Sequence, residues 1–224
     1  MKIDPTASFT KNTFKFKKTT RKRHLSRQEV PLLLNAITNS GMQERSKIGL
    51  KLLMLNGTRS AELILAEWKH VNLEKETWFL PAANTKTSET LTIHLAPQSV
   101  ALLRRLKALT GHSGLLMGGL ARKALTKALT RLQKPNAAKV VALKLEKNLT
   151  AHDLRRSFTT FLSNMGVPFD IREKMLNHKI QGTSESYDHA IHIEQRKAAA
   201  ILLADAYDNP LELLPVTQEE EDQQ

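Results

Sequence analysis

A tyrosine can cut a phosphodiester only among cations, because its hydroxyl ordinarily titrates near about 10. Tyr187 has basic residues at spacings that could supply them. His152 and Arg155 lie in the run Thr150-Ala151-His152-Asp153-Leu154-Arg155-Arg156-Ser157-Phe158, upstream of Met175-Leu176-Asn177-His178 and of Tyr187 itself. Tyr207, the other tyrosine, falls in an apolar helix-like stretch, so the choice of nucleophile is narrow. Thr150 and Asp153 make a capping-box pattern, which sets His152 and Arg155 on one side of a first helical turn. Unpaired N–H groups and the positive dipole end beside an imidazole and a guanidinium form a cradle for phosphate. The plainer alternative is a cap or a surface histidine.

Gly57-Thr58-Arg59-Ser60-Ala61-Glu62-Leu63 supplies a second arginine at a turn between helices, where Gly57 can take positive φ. The planar fork of Arg59 suits two phosphate oxygens, although pairing with Glu62 is the simpler role. Lys86 falls in a hairpin loop that could bring an ammonium to a leaving group, with Lys75, in an ordinary-looking turn, as its competitor. His178 could equally be a helix C-terminal cap. Each piece is weak alone, but the set in this order is hard to obtain by chance.

Those residues must be positioned by a mainly α fold with a small antiparallel β-sheet. Ser26 and Glu29 make a capping-box pattern ahead of a first helix, and a second runs through Ile48, Leu52 and Leu55 to Gly57. Trp78, Phe79 and Leu80 predict a short strand, and Leu91, Ile93 and Leu95 alternate with Thr92 and His94 as a half-buried one, with a polar loop at 84–89 between them. Leucines recur at helical spacing over 97–110 and 121–133, separated by a glycine-rich link. Thr150 opens a helix ending near Gly166, Pro168 starts a shorter one, and 193–207 makes a final Ala- and Leu-rich helix.

Composition points to a nucleic-acid partner. Among 224 residues, 34 Lys and Arg against 22 Asp and Glu give a net charge of +12, the footprint of a polyanion binder, with a merely basic protein as the alternative. Positive charge concentrates in residues 1–24, read as a flexible arm along phosphates, with Lys15, Lys17, Lys18, Arg21, Lys22 and Arg23 as contacts and Arg156 joining them from the His152 segment. Residues 208–224 read as an acidic, disordered tail. Zero cysteines exclude a disulfide framework and thiol catalysis. With no long apolar run and no signal-peptide pattern, the sequence reads as cytoplasmic.

The chain resembles the tyrosine recombinases or phage integrases over about residues 25–207, most nearly those of prophages and genomic islands. Thr58-Arg59-Ser60-Ala61-Glu62-Leu63 is similar to that family's first box, His152-Asp153-Leu154-Arg155-Arg156 to its second, Leu176-Asn177-His178 to its third element and Ser186-Tyr187 to its nucleophile segment. The resemblance implies the tyrosine recombinase catalytic-domain fold and site-specific DNA recombination. Tyr187 would form a 3′-phosphotyrosyl bond, Arg59 and Arg155 would hold the non-bridging oxygens, and Lys86 would protonate the 5′ oxygen. His152 would assist deprotonation of Tyr187, and His178 would hydrogen-bond the phosphate. Such chemistry conserves bond energy and needs no cofactor, neither metal nor ATP. The implied partners are double-stranded DNA, further copies of the chain as a tetramer on DNA, and accessory DNA-bending or excisionase proteins. The implied location is the nucleoid of a bacterium, with no membrane.

Integrases of this group carry a core-binding domain ahead of the catalytic one. Only about 24 residues stand there in this sequence, so it reads as a catalytic-domain fragment or a minimal integrase. Two alternatives remain at this level: a type IB topoisomerase, which nicks and reseals with a similar residue set, and a DNA-binding remnant without catalysis. The apolar face of the last helix, with Ala198, Ile201, Leu202 and Ala206, could dock on a neighbouring protomer or pack in cis.

Overall fold

The computed structural model describes residues 22–134, 145, 148–178 and 192–209. Among them the order is α1 (Glu29–Asn39), α2 (Glu44–Asn56), α3 (Ser60–Ile64), β1 (Val71–Asn72), β2 (Thr77–Leu80), β3 (Leu91–His94), α4 (Pro97–Thr110), α5 (Ala124–Leu132), α6 (Ala151–Asn164), α7 (Phe169–Met175) and α8 (Ile193–Asp208). No helix of the described residues is long and apolar enough to cross a membrane.

Helix α2 is the central post. Ile48, Leu50, Leu52, Leu53, Met54 and Leu55 are buried on every side of it, the pattern of a helix surrounded by others. It packs against α1, α4, α5, α6 and α8. Ser26 and Glu29 make the expected reciprocal pair, with the Ser26 N–H donating to Glu29 Oε2 at 2.8 Å and the Glu29 N–H to Ser26 Oγ at 3.3 Å.

The sheet is antiparallel in the order β1-β2-β3, with Trp78 paired to Ile93 and Leu80 to Leu91. Trp78, Leu80 and Ile93 face the core, whereas Phe79 and Thr92 face outward. Strand β1 has no signal in the sequence, being two residues long. It forms because Asn72 Oδ1 accepts from the Glu74 and Lys75 N–H groups, turning the chain back into β2. Lys75 is thus a turn residue. His94 is more covered than strand alternation predicts, because α8 lies against β3. Burial first, then the charge of Arg196, holds its pKa below the usual imidazole range.

Helix α8 packs in cis in this single chain. Ala199, Ala200, Leu203, Ala204 and Ala206 are buried, and Tyr207 meets Phe161 edge to face at 6.0 Å. Burial pushes the Tyr207 phenol above its ordinary range, so it is a core residue. Ile201 and Leu202 remain exposed.

Gly57 ends α2 with φ +60°, and a Cβ there would lie 2.6 Å from the Phe158 ring. Gly57→Ala should therefore cost roughly 2 kcal/mol from backbone strain and displacement of Phe158. Urea unfolding measures it, and a change under about 0.5 kcal/mol would contradict the assigned packing.

Candidate active site

Helix α6 begins where the cap predicts. The Asp153 N–H donates to Thr150 Oγ1 at 3.3 Å, and Asp153 Oδ2 accepts from the Thr150 N–H at 2.8 Å and hydroxyl at 2.7 Å. Asp153 is fully buried, and its Oδ1 accepts from Arg156 Nη1 at 3.0 Å. The cap fixes the first turn, so His152 points outward while Arg155 turns into the body.

Arg155 is 5 % exposed. Its Nη1 donates to the Gly57 carbonyl at 2.7 Å, and its Nη2 donates to the Leu176 carbonyl at 2.5 Å and contacts His178 Nε2 at 3.1 Å. Glu62 Oε2 lies 4.0 Å from Nη1. Burial, followed by the charge of Arg59, lowers the Arg155 pKa to about 10, against the attraction of Glu62 and Glu173. It stays cationic at neutral pH, with two of a guanidinium's five N–H donors uncommitted by these three contacts.

Arg59 stands at the N-terminus of α3, where Glu62 grips it twice. Glu62 Oε2 accepts from the Arg59 backbone N–H at 2.7 Å and Oε1 from its Nη1 at 2.6 Å. The plain reading of an Arg59–Glu62 pair is therefore correct, yet the guanidinium keeps 24 % of its side-chain exposure, which leaves its outer edge for a ligand.

His178 closes a Schellman turn at the end of α7. Its N–H reaches the Glu173 carbonyl and the Asn177 N–H the Lys174 carbonyl, both at 3.0 Å, with Asn177 at φ +54°. The imidazole Nδ1 is 2.7 Å from Glu173 Oε2. With a carboxylate on Nδ1 and an arginine N–H on Nε2, the consistent assignment is neutral imidazole protonated at Nδ1. Nε2 then accepts from Arg155.

His152 is exposed beside these groups, its pKa lowered first by burial of the ring and then by the charges of Arg156, Arg155 and Arg59. The neutral form thus persists below the pH at which a free imidazole protonates. Lys86 stands exposed in the β2–β3 loop. The structure thus brings together Arg59, His152, Arg155 and His178. Lys86 is not among the residues brought into contact there, and Tyr187 lies outside the described residues, as do Lys15, Lys17, Lys18 and Arg21.

A cleft of about 360 Å³ continues from His178, lined by Lys22, His24, Arg156, Thr159, Thr160 and Glu173. Lys22 and Arg156 both border this cleft. Arg23 differs: its guanidinium is 2.6 Å from Glu29 and nearly covered, and it also donates to the His24 carbonyl. The Leu25 N–H donates to Ser157 Oγ at 2.7 Å, which ties residues 22–25 to α6.

Sequence reading missed Glu173, Ser157 and the backbone carbonyls of Gly57 and Leu176. Glu173 had a signal, since an αL residue just before His178 brings their backbones together. The carbonyl contacts had none.

The fold places the chain among recombinase catalytic domains. The integrase from mycobacterium phage Brujita superposes with a TM-score of 0.60 at 20 % identity, covering 89 % of this chain and 65 % of that one. A XerH site-specific recombinase, in a post-cleavage complex with a palindromic difH substrate, gives 0.57 at 25 % identity over 81 % of this chain and 54 % of that one. The model of the phage integrase family matches residues 23–192, and the chain belongs to that family. Prophage integrase IntZ of Escherichia coli (strain K12) is 31 % identical over 198 residues, which are 82 % of this chain and 46 % of that protein. The chain spans about half the length of the curated relatives it matches.

The neighbouring cations make a prediction about His152. Arg156→Ala should raise its pKa, since a nearby positive charge disfavours the imidazolium. An NMR titration of the ring Cε1–H resonance reads this directly, and an unmoved or lowered value would refute the arrangement.

Proposed function

We propose that this chain performs site-specific DNA recombination, integrating or excising a mobile element by cutting and rejoining strands through a 3′-phosphotyrosyl bond at Tyr187. The observation that carries this reading is the convergence of Arg59, His152 and Arg155, where burial first and then the charge of the neighbouring arginines, Arg59 among them, disfavours the protonated forms of His152 and Arg155. A phosphodiester anion among them would turn that repulsion into attraction.

The Tyr187 hydroxyl oxygen bonds to phosphorus and gives its proton to neutral His152, while the P–O5′ bond breaks and O5′ takes a proton from the Lys86 ammonium. Arg59 and the uncommitted donors of Arg155 hold the non-bridging oxygens as charge develops, each donor contributing about 3 kcal/mol. His178 orients the Arg155 fork. Its ring stands at the edge of the phosphate site, where it would hydrogen-bond the phosphate. Attack by another strand's 5′ hydroxyl reverses the step and completes exchange without metal or ATP.

On this reading residues 25–207 are the catalytic domain, preceded by a basic arm along phosphates from which Arg23, paired with Glu29, is withdrawn, and followed by an acidic tail beyond the Asp208 end of α8. The partner is double-stranded DNA at the nucleoid, and four protomers assemble on it with DNA-bending or excisionase proteins. Lys22 and Arg156 extend the contact along the cleft.

The decisive experiment is incubation with nicked suicide duplexes of randomised core sequence, followed by denaturing electrophoresis. A covalent protein–DNA adduct that disappears in Tyr187→Phe supports the reading, and an adduct retained by that variant sinks the assignment of Tyr187. Supercoil relaxation without exchange between two duplexes would favour a topoisomerase instead. Lys22→Ala should lower the slope of log affinity against log salt by about one, the signature of one lost phosphate contact; an unchanged slope would remove Lys22 from the interface.

A further inference from the structure

The β2–β3 loop carries Lys86 in a segment closed on itself. Thr85 Oγ1 donates to the Glu89 carbonyl at 2.8 Å, bracketing Lys86, Thr87 and Ser88, and Ser88 has φ +58°. The same Glu89 carbonyl accepts a second hydrogen bond from the side-chain amide of Asn177, at 2.9 Å. Asn177 is the αL residue of the turn that presents His178. Two elements far apart in sequence are joined there through a single amide.

We propose that Asn177 is a positioning residue, whose side chain docks the Lys86 loop onto the His178 turn and so holds the Lys86 ammonium at the leaving oxygen. This rests on the recombinase reading given above. For backbone geometry alone, glycine would be the better residue at φ +54°, because it takes the αL region without a Cβ penalty. Asparagine tolerates that conformation and adds an amide donor, and here the donor is used on the loop. The backbone of the turn stays satisfied without it, since the Asn177 and His178 N–H groups already bond to Lys174 and Glu173. Removing the amide should therefore free the loop and leave α7 and the His178 turn as they are.

An exposed lysine on a loop is a general acid whose position depends on how the loop is held, and the Asn177 amide is the contact that ties this loop to the His178 turn. Misplacement of such a group slows only the step that needs its proton. A leaving group that departs without a proton should be indifferent to it.

The test uses the full chain with Asn177→Gly, which keeps the αL turn, and Asn177→Asp, which keeps the shape but has no N–H to donate. Adduct formation is followed on a suicide duplex recovered from the randomised pool, made once with the natural 5′ bridging oxygen and once with sulfur there. On the oxygen substrate both variants should be slower by about ten-fold. On the sulfur substrate, where a thiolate leaves unprotonated, they should match wild type within about two-fold, as should Lys86→Ala. Equal losses on both substrates, or none on either, would overturn the proposal while leaving the recombinase reading intact. Absence of any adduct with wild type would sink both. Amide hydrogen exchange gives a readout without DNA: residues 85–90 should exchange faster in both variants with α7 unchanged. Unchanged exchange of that loop would also overturn the proposal.

Discussion

The site depends on a guanidinium buried with carbonyls as partners. A charge taken out of water costs several kcal/mol unless hydrogen bonds replace its hydration, and Arg155 receives these from Gly57 and Leu176. Both carbonyls sit at helix C-termini, those of α2 and α7, where the backbone dipole is negative. Arg155 itself rises from the first turns of α6, whose N-terminal end is positive. Two negative helix ends thus clasp the cation, while the Thr150–Asp153 cap closes the helix end from which it rises.

That clasp explains why two left-handed residues stand where they do. Gly57 at φ +60° and Asn177 at φ +54° end α2 and α7, and each turn directs a carbonyl to Arg155. Gly57 also has no room for a Cβ against Phe158. The core and the site are therefore coupled at one residue, because the ring that fills the core on α6 lies one turn beyond the arginine that serves the site.

The carboxylates around the cluster have separate tasks. Glu62 fixes Arg59, Glu173 fixes His178, and Asp153 caps α6 while holding Arg156. Glu62 and Asp153 each neutralise an arginine from the side facing the protein, while Glu173 holds the neutral His178 ring. The outer edges of Arg59 and the His152 ring stay exposed, so the uncompensated charge faces outward. Like charges held by a rigid scaffold constitute a preorganised field, which needs no rearrangement when a phosphate arrives.

How much of this the sequence carried depended on range. Periodicity and caps located α4, α6, α8 and the end of α2 almost to the residue, because those signals lie within one or two turns of chain. Thr150 with Asp153 announced the start of α6, and Gly57 announced the end of α2. The contacts that make the site join residues far apart, such as Arg155 to Gly57 or Asn177 to Glu89, and these accept through backbone carbonyls that every residue possesses. No residue type marks such an acceptor. His178 illustrates the consequence: its spacing identified it as a site residue, but only its partners show that Nε2 receives a hydrogen bond from Arg155 in this state. A histidine so placed holds the arginine on one side while Glu173 holds the imidazole on the other.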